Sequence, residues 1–191
     1  ISDSVIQQSN MVYKKVQDPY SFRCAPQVHG AVYEALLGMQ STIYIELNST
    51  TDNPLVFADA PKLSDRIVSQ GNFRGEILAL CADRMSLALF ELGSISERRM
   101  DQLLDSSKSG LTPFLAADSG LESGLMIVQY SAGSALAELH GHAAPRTAFS
   151  TSTSAGQEDH VSMGATACWN LYQACTSCLL YTSPSPRDSR R

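Results

Sequence analysis

The sequence predicts a mainly α fold, a bundle of long helices that a single chain only partly completes. Three features predict it. Residues 72–105 repeat Ile77, Cys81, Met85, Ala88, Leu92 and Ile95 at helical spacing, with Arg84, Glu91 and Arg98 elsewhere on the wheel. Residues 27–47 carry a second stripe of Val28, Val32, Ala35, Leu36 and Met39. Between such stretches lie polar segments rich in Asn, Ser, Gly and Pro, which favour turns over helix. The stripes are wider than one small domain needs, which points to a bundle shared between subunits.

Along the chain, residues 1–15 are mixed and compatible with helix. In "VQDPYSFRCAPQVHG" (16–30), Pro19 and Pro26 mark a turn or a broken entry into the next helix. "NSTTDNPLVF" (48–57) breaks that helix, and its "LVF" predicts a short strand. Residues 58–70 read as a loop or hairpin. Asn72 is placed to cap the long helix, which "SGLTPFL" (109–115) ends. A further helix is expected over about 123–140, with Met126, Ile127, Tyr130, Leu136 and Ala137. Residues 140–156 form a polar loop. Glu158 and Asp159 then stand where a first helical turn welcomes negative charge, ahead of a helix through Val161, Ala165, Trp169 and Tyr172 to about Leu180.

Bulk properties narrow the function classes. A formal net charge of -5 argues against a nucleic-acid groove. No run reaches the roughly 18 consecutive apolar residues of a membrane helix, so no membrane partner is expected. The start "ISDSVIQQSN" has no signal-peptide pattern and no initiator Met, as expected of a chain cut from a longer one. The five cysteines, Cys24, Cys81, Cys168, Cys175 and Cys178, are odd in number and scattered, which fits free thiols in a reducing cytoplasm. Cys175 and Cys178 form a CxxC without a second ligand pair, so no metal site is expected. The tail 181–191 turns abruptly to Ser, Pro and Arg; it reads as disordered or non-native, leaving residues 1–180 as the folded part.

Three polar clusters carry candidate chemistry. The first joins Gln17, Tyr20 and Arg23, an amide, a phenol and a guanidinium able to converge on one small polar ligand. Arg23 offers a planar fork matched to a carboxylate, a contact worth about 1.5–3 kcal/mol. An ordinary surface turn would use the same residues. The second, "SQGNFRGE" (69–76), sets Phe73 between Gly71 and Gly75, which permit close backbone approach. The third, "GQEDHVSMG" (156–164), offers Glu158 either as a capping acid or as a partner for a cationic or hydrogen-bonding ligand, and His160 shares that ambiguity.

Taken together, "VQDPYSFRCAPQV", "STTDNPLVF", "SQGNFRGE", "GSISERR", "ESGLMIVQYSA" and "TSAGQEDHVSMG" resemble, in this order, the later blocks of the histidine ammonia-lyase family of the aromatic amino acid lyases. The resemblance covers about residues 5–175. It implies the long-helix bundle of the aromatic amino acid lyase and fumarase-like type, incomplete here, and a homotetramer in the full-length protein. It implies deamination of L-histidine to trans-urocanate and ammonia, with a methylidene-imidazolone electrophile made from an Ala-Ser-Gly tripeptide. No Ala-Ser-Gly occurs in this chain. The implied roles are Arg23 as carboxylate clamp, Tyr20 as active-site phenol and Gln17 as its polar neighbour. Phe73 is the implied aromatic near the electrophile, and Glu158 the carboxylate facing imidazole or amine, with Gln157 beside it on the substrate. "QEDHVSMG" is similar to the histidine branch; phenylalanine lyases carry an amide where Glu158 stands. Arg74, where histidine lyases usually carry His, Glu122, where Asn is usual, and the looser "PRTAFSTSTS" depart from the pattern. A tyrosine or phenylalanine lyase or aminomutase of the same family, and a catalytically dead assembly subunit, are the alternatives.

Overall fold

The computed structural model describes residues 16–182; the reading of residues 1–15 and nearly all of the tail lie outside them. The order is α1 (Tyr20–Arg23), α2 (Ala25–Leu47), β1 (Leu55–Val56), β2 (Ile67–Val68), α3 (Glu76–Leu104), α4 (Ser106–Ser109), α5 (Met126–His142) and α6 (Gly164–Thr182). The mainly α expectation holds. Among the described residues no helix is long and apolar enough to cross a membrane.

The broken helix entry takes the predicted form. Pro19 precedes α1, Cys24 leaves helical geometry at ψ 12°, and Pro26 sits in the first turn of α2, where its missing N–H costs nothing. The short strand after Pro54 also forms. Its antiparallel partner is β2, with Leu55 opposite Val68 and Val56 opposite Ile67. The Asn53 side chain ties the start of this hairpin to the residues just past β2, its Oδ1 accepting from Ser69 Oγ (3.2 Å) and from the Gln70 N–H (3.0 Å).

α3 is the spine. At 29 residues it runs about 43 Å, and α2, α5 and α6 all pack on it. The core is made largely of small residues: Ala35, Ala79, Ala82, Ala167 and Ala174, with Met85, Leu89, Leu139, Leu171 and Cys178. Small faces let helix axes approach closely. At Gly93 a Cβ would stand 2.7 Å from Leu139 Cδ2, so the missing side chain is what admits that leucine.

The stripes differ from the expected ones for the same reason. On α6 the buried face is Ala167, Leu171, Ala174 and Cys178, while Trp169 (63% exposed) and Tyr172 stack on each other outside at 5.4 Å. Rings that large do not fit against the alanine face of α3. On α5, Ala132 and Leu139 are buried and Ile127 and Tyr130 point outward. On α3, Ile77 is exposed. α2 adds Tyr33, Tyr44 and Ile45 to this outer apolar surface. Apolar surface on this scale marks association surfaces in soluble proteins.

Two start signals are displaced. Asn72 does not cap α3; it opens a single tight turn, Asn72–Arg74, and Gly75 at φ +61° hands the chain into the helix. That left-handed backbone is where glycine alone is unstrained. Glu158 and Asp159 lie ahead of α6, which begins at Gly164.

Leu139→Ala, at a side chain 1% exposed, is expected to cost about 2–5 kcal/mol. Chemical denaturation of the full-length protein checks this, and an unchanged midpoint would contradict the packing described.

Candidate functional site

The predicted residues form two clusters. At the first, Arg23 stacks on Tyr20, its guanidinium carbon 5.5 Å from the ring centroid, and donates to Gln17 Oε1. Amide, phenol and guanidinium thus share one surface, as expected. The support beneath them was not foreseen. Arg99, near the C-terminal end of α3, donates through Nε to the Ser21 carbonyl (2.8 Å) and through Nη2 to His29 Nε2 (2.7 Å). It fixes α1 and the start of α2 against the spine.

The second cluster stands at the N-terminal end of α3. Phe73, 58% exposed, projects from the tight turn ahead of Gly75. A cavity of about 270 Å³ opens beside this turn, lined by Glu46, Ser49, Asn72, Arg74, Glu76 and Ile77. Segment 158–162 arrives from the far side of the sequence. Arg74 Nη1 donates to the His160 carbonyl (2.9 Å), Arg74 Nη2 donates to His160 Nδ1 (2.5 Å), and Ser162 Oγ donates to the Arg74 carbonyl (2.6 Å).

Glu158 is neither a helix cap nor a free acid. Its backbone pairs with Thr153, Thr153 N–H donating to the Glu158 carbonyl at 2.8 Å and Glu158 N–H returning at 3.3 Å. Its Oε2 accepts from Thr153 Oγ1 (2.8 Å) and Ser154 Oγ (2.9 Å). The turn between them is strained, with Ser154 at φ 53° and Ala155 at φ 56°, a region that non-glycine residues rarely occupy. The Thr153 hydroxyl, then the Ser154 hydroxyl, hold the Glu158 carboxyl below its ordinary range. These hydroxyls come from the stretch read only as a loose loop, where the run of Ser and Thr next to an acid was the available signal. Gln157 is exposed beside Glu158, and its N–H donates to the Ser154 carbonyl (3.1 Å).

That loop is anchored deep in the fold. The Asp83 carboxylate, buried on α3, accepts from Arg146 N–H (2.8 Å), Thr147 N–H (2.9 Å) and Thr147 Oγ1 (2.7 Å). Buried Asn170 on α6 accepts from Arg146 Nη2 (2.8 Å), contacts His142 Nδ1 (2.9 Å) and donates to the His142 carbonyl (2.8 Å).

The structure thus unites Gln17, Tyr20 and Arg23, and ties the turn carrying Phe73 to the loop carrying Gln157 and Glu158 through Arg74. It does not unite the two groups within one chain. Arg99 and Gly75 are 24 positions apart on the spine, about 36 Å.

The family model for aromatic amino acid lyases matches residues 2–181. The chain belongs to the aromatic amino acid lyase family. Histidine ammonia-lyases of Stigmatella aurantiaca and Myxococcus xanthus are 48% and 50% identical to it, over 87% and 86% of its length and 32% of theirs. The crystal structure of histidine ammonia-lyase from Trypanosoma cruzi superposes with a TM-score of 0.79 at 43% identity, covering 85% of this chain and 31% of that one. A phenylalanine aminomutase from Pantoea agglomerans reaches a TM-score of 0.78 at 31% identity, covering 91% of this chain and 35% of its own. The chain spans about a third of the length of the curated relatives it matches.

Because Glu158 is held low, its ionised form persists below the ordinary carboxyl range and is lost only as pH falls through the lowered value. Thr153→Val is expected to move its protonation upward, toward the ordinary 4.5. An NMR titration of the Glu158 carboxyl carbon checks this, and an unmoved midpoint would contradict the hydroxyl's role.

Proposed function

We propose that this chain is an internal-to-C-proximal part of a histidine ammonia-lyase whose full-length cytoplasmic homotetramer converts L-histidine to trans-urocanate and ammonia. The observation that carries the reading is Glu158: a carboxylate held by two hydroxyls, on the loop that Arg74 ties to the turn carrying Phe73. An acid there selects a ligand bearing imidazole or ammonium donors, where an amide or an apolar residue would not. The higher identity to proteins named histidine ammonia-lyase than to the aminomutase points the same way.

In this reading Arg23 grips the substrate carboxylate through its fork. Gln17 holds the guanidinium in place and Tyr20 backs it with its ring. Tyr20 also offers a phenol for proton transfer at the substrate. Phe73 provides an aromatic wall, and Glu158, with Gln157 beside it, orients the ring or the amine. Because the two clusters lie at opposite ends of α3, the pocket takes its Arg23 end from one protomer of the proposed tetramer and its Glu158 end from another. Fixing both ends of a small amino acid then settles where its β-carbon lies, which is the condition for removing a weakly acidic proton.

The residues present fit a prosthetic group supplied from outside this chain. Tyr20, which has Arg23 over one face of its ring, and Phe73 are 67% and 58% exposed and leave aromatic surface for a neighbour, and the chain carries no Ala-Ser-Gly from which to make one. A methylidene-imidazolone bound there supplies an electrophile that makes the amino acid electron-poor.

The test is competition among histidine, tyrosine and phenylalanine in full-length protein. Urocanate absorbance from histidine is expected, and its absence would overturn the reading. Glu158→Gln is expected to lower kcat/KM for histidine about 10- to 150-fold, the worth of one charge-assisted hydrogen bond, and to affect tyrosine or phenylalanine less. An equal effect on all three would favour the tyrosine or phenylalanine lyase or aminomutase alternative.

A further inference from the structure

Arg74 makes contacts that the substrate-binding roles above do not use. It lies beside Phe73 in sequence, on the turn that leads into α3. Its guanidinium donates to three acceptors: the His160 carbonyl, His160 Nδ1 and Glu76 Oε2, the last at 3.1 Å. A guanidinium has no acceptor atom, so Nδ1 accepts and the ring proton sits on Nε2. Its own carbonyl takes the Ser162 hydroxyl. The backbone and the side chain of one residue therefore both bind the segment 160–162, which is 86 positions away in sequence.

Among the described residues, the remaining bonds of that loop are local. Thr153 pairs with Glu158, and Val161 N–H donates to Ser150 Oγ at 3.0 Å. They hold the loop's shape and leave its place on the fold to other groups. Asp83 fixes its near end at Arg146 and Thr147. Arg74 fixes its far end, two residues beyond Glu158.

We propose that Arg74 is a positioning residue that staples the turn carrying Phe73 to the loop carrying Glu158, so that aromatic wall and carboxylate hold one fixed separation. The proposal rests on the histidine reading for its kinetic consequence and on geometry alone for the staple. A lysine would keep the charge but lose the planar fork that reaches the His160 carbonyl, the His160 ring and Glu76 together.

Two measurements on the full-length protein decide it. The first is hydrogen exchange, which involves no substrate. Arg74→Ala is expected to raise exchange of the 158–162 amides about tenfold while amides in the middle of α3 stay protected. Unchanged exchange in 158–162 overturns the staple, whatever the enzyme's substrate proves to be. The second is a kinetic cycle with Arg74→Ala, Glu158→Gln and the double variant. Arg74→Ala is expected to raise KM for histidine about tenfold with a smaller change in kcat, and Glu158→Gln to cost at least about fivefold less in the Arg74→Ala background than alone. Independent, multiplying effects overturn the coupling. Should the alanine variant fail to assemble, Arg74→Lys takes its place in both measurements. A rise of about threefold or more in exchange and KM then supports the staple, and native values refute it. A native enzyme that uses tyrosine or phenylalanine in place of histidine refutes the substrate reading. The cycle run on that amino acid then still supports or refutes the coupling.

Discussion

The Asp83 carboxylate is the interaction on which the second cluster depends. It is buried on α3 among alanines and accepts three hydrogen bonds from Arg146 and Thr147. A buried carboxylate without such partners is costly, and removing one partner of a buried charge is among the most damaging changes a core can suffer. Satisfying Asp83 obliges the chain leaving α5 to lie across α3 at that point. From there the polar stretch runs to α6 and passes the N-terminal end of the spine on the way. Asp83 holds the near end of the loop that carries Glu158, and Arg74 binds its far end at His160 and Ser162.

The spine imposes the opposite constraint on the first cluster. Arg99 holds α1 near one end of α3, and Gly75 delivers the Phe73 turn at the other. A helix is a stiff rod at this length, so no side-chain motion brings Arg23 to Glu158 within one chain. The outward aromatic and aliphatic surfaces of α2, α5 and α6 supply the other half of the logic. The tetramer proposed above would cover those surfaces and set the Arg23 end of one protomer against the Glu158 end of another. The small alanine faces serve folding, and in the proposed assembly the large exposed rings would serve contacts between protomers.

Much of this was legible in residue order. The helical period over residues 72–105 and the prolines around Tyr20 and Arg23 gave the right elements, because backbone sterics and burial act locally there. Which face of α6 turns inward was not legible. Trp169 and Tyr172 are among the largest side chains of that helix, and helical spacing with side-chain size assigned them to the core. Packing against Ala79 and Ala82 depends on shape, which periodicity does not measure. The gathering of Gln17, Tyr20 and Arg23 was readable because a short stretch of chain holds all three. The hydroxyl partners of Glu158 and the tie between Arg74 and His160 were not, since they come from a strained turn and from two segments far apart in the chain.

The central claim is that one pocket is built from opposite ends of α3 in different protomers. Subunit complementation tests it most directly. Full-length Arg23→Ala and Glu158→Ala proteins, each inactive, are dissociated, mixed and reassembled. Pockets with Arg23 intact from a Glu158→Ala protomer and Glu158 intact from an Arg23→Ala protomer then exist only in the mixed assemblies, so the predicted result is recovery of a sizeable fraction of native turnover. A mixture that reassembles into tetramers and stays as inactive as its components would contradict it.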